Sequence, residues 1–164
     1  MKEESTIRKK ELSYKEYKHW SKLEKGENTL LESAWNETKN AYAPYSQFRV
    51  GACAELENGV LVPGSNQENA SFPAGLCAER VALFSAMGNH PGVRVKKIAI
   101  TAVNRDDNLK RPVFPCGFCA QVLIDLEERQ QSAIKIILGL KNGPAFELDS
   151  AKMLLPFFFS KSDL

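Results

Sequence analysis

The sequence predicts a three-layer α/β fold on three observations. Short apolar strand patterns alternate with helical stripes, the apolar share suits one sizeable core, and no run of about 18 apolar residues is present to cross a membrane. At 164 residues and 43% hydrophobic content the chain can bury such a core, with no room for a second full domain. The expected organisation is an appended segment over residues 1–27 and one compact body over residues 28–164.

Within residues 1–27, Ile7, Leu12, Tyr14, Tyr17, Trp20 and Leu23 offer apolar anchors without a clean period. From Asn28, the stripe Leu30, Leu31, Ala34, Trp35, Thr38 and Ala41 predicts a helix over about 28–41. It stops before Pro44, whose ring disfavours helix at Ala43. Val50, Ala52, Ala54 and Leu56 alternate as a strand, Asn58-Gly59 supplies a tight hairpin turn, and the return strand starts at Val60. A helix is expected over 76–87 with Cys77 and Glu79 in its first turn, then a buried strand over 98–103. A further helix follows Pro115, with Val122, Leu123 and Leu126 on its stripe, and leads to a strand over 133–138 that stops at Gly139. Asn142-Gly143-Pro144 is a turn, and residues 145–148 read as a short edge strand.

Charge narrows the function. The net charge is +2, but residues 1–28 carry eight Lys/Arg against six Glu, which leaves 14 charges of each sign on the other 136 residues. The body therefore lacks the basic stripe with which nucleic-acid enzymes neutralise phosphates, and the N-terminal charges read as a solvated face. Residues 1–10 are too charged for the apolar core of a signal peptide, so a cytoplasmic setting is expected. In that setting four cysteines point to metal binding rather than to disulfides.

The chemistry sits in Cys77-Ala78-Glu79-Arg80 and Pro115-Cys116-Gly117-Phe118-Cys119. Cys116 and Cys119, three apart at a helix start, can face one ion while first-turn amides help hold their thiolates. Alone, that pair reads more readily as a redox dithiol or half of a structural zinc knuckle than as part of a catalytic site. Cys77 is the natural third ligand. Three protein ligands leave a fourth tetrahedral position for water, and open coordination separates catalytic from structural zinc. Glu79, two residues from a ligand, can reach that water, although an isolated Glu there would read as a first-turn helix residue. The joint pattern of Cys-x-Glu followed by Pro-Cys-x-x-Cys is that of zinc deaminases, in which the Glu is acid and base rather than ligand.

With these motifs the chain resembles the cytidine deaminase family, specifically its small three-cysteine form that assembles as a homotetramer, over about residues 30–159. Tyr42-Ala43-Pro44-Tyr45-Ser46-Gln47-Phe48-Arg49-Val50-Gly51-Ala52 looks like the family's entry into its first core strand. Gly64-Ser65-Asn66-Gln67-Glu68-Asn69-Ala70 looks like its nucleoside-binding segment. The resemblance implies a five-stranded mixed sheet between helix layers, so that residues 28–164 form a cytidine deaminase-like catalytic domain. It further implies hydrolytic deamination of free cytidine and deoxycytidine to uridine and deoxyuridine, in pyrimidine salvage. Zn2+ would be held by Cys77, Cys116 and Cys119. Glu79 would take a proton from water, protonate N3 as C4 is attacked, and deliver a proton to departing ammonia. Three thiolates on a divalent ion leave a formal charge of −1, and the resemblance gives Arg80 the task of donating to cysteinate sulfur, with the helix ends assisting. It assigns Phe48 to packing on the base, Asn66 and Glu68 to the ribose, and Ala78 to the substrate. Ala70, Phe72 and Phe159 fall at the boundary with a neighbouring subunit.

Two positions depart from the family's pattern. Phe114 stands where Ser commonly precedes Pro-Cys, and Ala120 where Arg commonly follows the last Cys; neither can replace the hydrogen bonds of a hydroxyl or a guanidinium at the base edge or between subunits. Cys53 reads as a small core residue, and His19 and His90 lie outside the metal motifs. A deaminase of another base, of a modified nucleoside or of a polynucleotide, or a non-catalytic zinc-stabilised binding protein with Cys53 as fourth ligand or Glu79 idle, are the competing readings. A 3′ phosphate would be repelled by a carboxylate at Glu68, which favours a free nucleoside. The apolar run Leu154-Leu155-Pro156-Phe157-Phe158-Phe159 wants burial, on its own domain or, as the resemblance implies for Phe159, at a neighbour's nucleoside site.

Overall fold

The structure, a computed structural model, describes residues 5–164, so Lys2, Glu3 and Glu4 of the charged segment lie outside the described residues. Its sheet contains β1 (Lys15–Tyr17), β2 (Arg49–Leu56), β3 (Leu61–Ser65), β4 (Val95–Val103), β5 (Lys135–Gly139) and β6 (Ala145–Leu148). They lie in the order β1-β6-β5-β4-β2-β3, with β4 and β5 parallel and the other neighbours antiparallel. Helix α1 (Lys25–Glu37) packs on one face, and α2 (Ala78–Asn89) and α3 (Gly117–Gln130) on the other, which gives the expected three layers.

The sheet has six strands rather than five. The additional strand, β1, comes from the appended segment and pairs with β6 through Lys15↔Glu147, Glu16↔Phe146 and Tyr17↔Ala145. Three residues are too short for a period-2 pattern to show in sequence. As a consequence β6 is not an edge strand: it is buried along its length between β5 and β1. Trp20 and Leu23 are buried as well, and the start expected at residue 28 falls inside α1, which opens at Lys25 with a Glu24/Glu27 capping box. The helix ends at Glu37, and a 3-10 turn (Thr38–Asn40) takes up the rest of the predicted stripe.

Ion pairs join this N-terminal part to the sheet. Glu27 is fully buried; one carboxylate oxygen accepts from the Glu24 amide at 3.2 Å and the other from Lys135 Nζ at 2.8 Å. Lys135 also lies 3.3 Å from Glu147, which accepts from Lys15 Nζ at 2.7 Å and from Tyr17 Oη at 3.0 Å. Burial alone would push the Glu147 carboxyl up, but these donors hold it below its ordinary value.

The alternation read in β2 is real, yet the strand is covered on both faces. Ala52, Ala54 and Leu56 pack among α2 and α3 side chains, and Cys53 packs with Leu30, Leu31 and Ala34 of α1. Helices approach the sheet backbone directly at two glycines. A Cβ at Gly51 would stand 2.0 Å from the Ala34 carbonyl of α1, and one at Gly64 would stand 2.5 Å from Ala82 N and 2.7 Å from Ala78 O of α2. Because the Gly64 contact seats the first turn of α2, Gly64→Ala should destabilise the fold by about 2–3 kcal/mol through backbone displacement and should weaken metal retention. Thermal denaturation with metal analysis checks this; an unchanged melting temperature would contradict the close approach.

Candidate metal centre and cleft

Two helix starts converge beside β3 and β4. Cys77 is the N-cap of α2 and Cys116 the N-cap of α3, both with extended backbone, and Cys119 sits in the first turn of α3. Each sulfur thus lies at a helix end that carries unsatisfied amides and a positive partial charge, which favours thiolate. Cys77 Sγ is 3.9 Å from Cys116 Sγ, Cys116 Sγ is 3.5 Å from Cys119 Sγ, and all three lie within 4.8 Å of one another. A tetrahedral zinc with Zn–S bonds of about 2.3 Å sets its sulfurs about 3.8 Å apart. The spacing therefore fits the ion, and it is far too wide for a disulfide.

The surrounding charges agree with that fit. The Cys77 thiol is drawn down to about 5 by a hydrogen bond from Cys119, with Arg80 adding to the effect against the cost of burial. The hydrogen bond to Cys77 and burial push the Cys119 thiol up. Crowded thiols share one negative charge in this way, and a divalent cation is what allows all three to ionise. Arg80 Nη2 donates to the Gly75 carbonyl at 3.5 Å, while its buried Nε has no protein partner among the described residues. An orphaned buried N–H beside cysteine sulfurs is the donor that a metal-thiolate centre requires.

Glu79, one residue into α2, is 4% exposed and lines the cleft next to Cys77 and Cys116. Burial, helped by the Cys77 charge, pushes its carboxyl up to about 6, a value suited to proton exchange near neutral pH. The cleft, of about 1170 Å³, also has Phe48, Asn66, Glu68, Phe72, Arg80 and Phe114 in its walls. Glu68 accepts from the Tyr45 and Ser46 amides and from the Ser46 hydroxyl, and its carboxyl is held below its ordinary value, first by that hydroxyl. Asn66 bridges the backbone of β2: Oδ1 accepts from Val50 N at 2.8 Å and Nδ2 donates to Phe48 O at 2.9 Å. One amide hydrogen and one lone pair of Asn66 remain for a ligand.

Not every expected site residue meets in the cleft. Ala78 is fully buried with its carbonyl against Gly64, Ala70 is exposed outside the lining, and Phe159 is 60% exposed with its carbonyl tied to Gln121 Nε2 at 2.7 Å. Cleft residues that pattern reading missed include Tyr45, Ile100, Val113 and Phe118. Tyr45 and Phe118 stand inside the recognised motifs, but Ile100 reads as an ordinary core strand residue and Val113 precedes the metal motif. Cys53 lies on the opposite, α1-facing side of the sheet, which removes it as a fourth ligand, and burial pushes its thiol up to about 12. His19 caps a 3-10 turn by accepting from Ser21 N. Chelated, folded protein should therefore be alkylated by iodoacetamide at Cys77 and Cys116 but not at Cys53, and zinc should protect both. Peptide mass spectrometry reads this directly; equal labelling of Cys53 and Cys116 would refute the arrangement.

Comparison with known proteins places these features. Residues 24–134 match the family described as cytidine and deoxycytidylate deaminase zinc-binding region. A cytidine deaminase of Halalkalibacterium halodurans is 39% identical over 82% of this chain and 95% of its own length, and one of Sporosarcina psychrophila is 37% identical over 82% and 92%. Among solved structures, a cytidine deaminase from Burkholderia pseudomallei superposes with a TM-score of 0.68 at 37% identity, covering 80% of this chain and 97% of that one. A cytidine deaminase from Mycobacterium tuberculosis gives a TM-score of 0.61 at 32% identity, over 80% and 95%.

Proposed function

The chain belongs to the cytidine deaminase family, and from that premise we propose that Cys77, Cys116 and Cys119 hold its zinc while Glu79 moves the protons of deamination. The reaction is hydrolytic: cytidine or deoxycytidine and water give uridine or deoxyuridine and ammonia. The observation that carries the residue assignment is the meeting of three unpaired sulfurs, two of them in the cleft wall, with a buried carboxyl that lines the same cleft.

Bound zinc supplies the Lewis acidity that lowers the pKa of water from 15.7 towards about 7. Glu79 accepts the proton that water gives up, passes a proton to N3 as C4 turns tetrahedral, and delivers one to the departing amine. A carboxyl whose pKa has been raised to about 6 can both accept and return a proton at neutral pH. Arg80 donates to cysteine sulfur and so offsets the surplus negative charge of three thiolates. Phe48 packs on the base, and Asn66 and Glu68 bond the ribose hydroxyls. Ala78, the residue between Cys77 and Glu79, is assigned to the substrate by the family likeness alone, and it is fully buried on one chain. The carboxylate of Glu68 at the ribose favours a free nucleoside over a polynucleotide, whose phosphate it would repel. Four unpaired cysteines suit a cytoplasmic setting, and no helix of the described residues is long and apolar enough to cross a membrane.

Glu79→Gln should keep zinc and fold but lose about 10²–10⁴-fold in turnover, since a Gln keeps the shape and cannot shuttle protons. Ammonia release by the zinc-loaded variant measures it, and near-normal rates would sink the assignment.

We further propose a homotetramer with shared sites. Phe72, Phe118 and Phe157 are each between 74% and 85% exposed on one chain, apolar area that favours burial against another copy. Phe159, held away from its own cleft, would then reach a neighbour's nucleoside, with Ala70 and Phe72 at the same boundary. Deleting residues 157–164 should weaken both assembly and nucleoside binding while zinc stays bound. Light scattering with cytidine kinetics tests the pair; a truncated tetramer with wild-type KM would exclude it.

A further inference from the structure

The N-terminal segment crosses the rim of the cleft. The Tyr14 ring lies 5.1 Å from that of Phe146 on β6 and 6.4 Å from that of Phe114, and Phe114 lies 5.7 Å from Phe146. The three rings form a closed cluster at edge-on and tilted angles, the arrangements aromatic pairs prefer. Phe146 is a core residue, fixed by pairing with Glu16 of β1. Phe114 is 37% exposed and stands in the cleft wall, in the loop directly before Pro115 and Cys116. Farther along the same segment, Lys10 donates to the Pro156 carbonyl and lies 5.6 Å from the Phe157 ring and 5.9 Å from that of Phe158. The segment is thus pinned at β1, at Phe114 and at the C-terminal tail, and it lies ahead of the residues that the family match covers.

We infer that residues 10–17 form a strap that holds Phe114 as an apolar wall of the nucleoside cleft, with Tyr14 as the positioning residue that acts through it. Phe114 carries no hydrogen-bonding group, so its contribution to binding depends on where its ring is kept. The core side chain Phe146 and Tyr14, which touch each other, together back the Phe114 ring. Without Tyr14, Phe114 gains rotamer freedom and the wall must be ordered anew by each incoming nucleoside, a cost that falls on binding rather than on proton transfer at Glu79.

This inference rests on the deaminase reading, and its test separates the two. Tyr14→Ala should raise KM for cytidine about three- to ten-fold at nearly unchanged kcat, while Tyr14→Phe, which keeps the ring, should keep the wild-type KM. In a double-mutant cycle, Tyr14→Ala should add little once Phe114 is already Ala, because it acts through that ring. Hydrogen–deuterium exchange of the segment around residues 113–116, read without substrate, should rise in Tyr14→Ala and not in Tyr14→Phe. A wild-type protein that releases no ammonia from cytidine would overturn the deaminase reading alone, since the exchange measurement still judges the strap. Unchanged exchange in Tyr14→Ala, an unchanged KM, or a loss that Tyr14→Phe shares, would overturn the strap. Lys10→Ala, which frees the far end on an exposed side chain, supplies the same exchange readout should Tyr14→Ala fail to fold.

Discussion

Three sulfurs must sit about 4 Å apart at the starts of two different helices, and most of the architecture around the cleft serves that spacing. A Cys-x-x-Cys brings two sulfurs together within one helical turn, but the third, 39 residues earlier, can arrive only if α2 is seated on the sheet at a fixed height. Gly64 provides the seat by letting the α2 backbone come closer than any side chain would allow. Burial of Glu79 follows from the same placement. Two residues past the Cys77 cap, its side chain lines the cleft while staying buried, and desolvation raises its pKa towards the range of proton exchange.

Buried carboxylates hold the rest of the frame, and each is satisfied. Glu127 accepts from the Ile134 and Ala151 amides and from the Ser150 hydroxyl, which ties α3 to the start of β5 and to the C-terminal turn. Glu27 and Glu147 share Lys135 and draw Lys15 and Tyr17 onto the sheet. Such networks add modest net stability when complete, but removing one member leaves a buried charge and costs about 3–5 kcal/mol. They therefore specify position: β1 can dock in the register that presents Lys15 to Glu147, and that register brings Tyr14 to Phe114.

Phe114 and Ala120 show two ways of departing from a shared pattern. Ala120 is buried in α3, where a small residue packs without demand on its neighbours. Phe114 is a large ring, and the aromatic cluster around it gives that ring a defined place.

The sequence by itself determined the layers and the chemistry. Helical stripes at Leu30 and Leu123, the Asn58-Gly59 turn, and the Cys-x-Glu and Pro-Cys-x-x-Cys pairs are local signals, and local spacing fixes which ligands share a turn. Tertiary structure alone decided what depends on partners far apart in the chain. A three-residue strand such as β1 has no period to read, and its place comes from Glu147 and Phe146, about 130 residues away. Glu27 fell among the N-terminal charges read as a solvated face, because nothing nearby in the chain reveals its pairing with Lys135 beneath the helix. Residues 145–148 read as an edge for the same reason: a strand's neighbours are set by long-range hydrogen bonding, which a run of four apolar and polar letters does not encode.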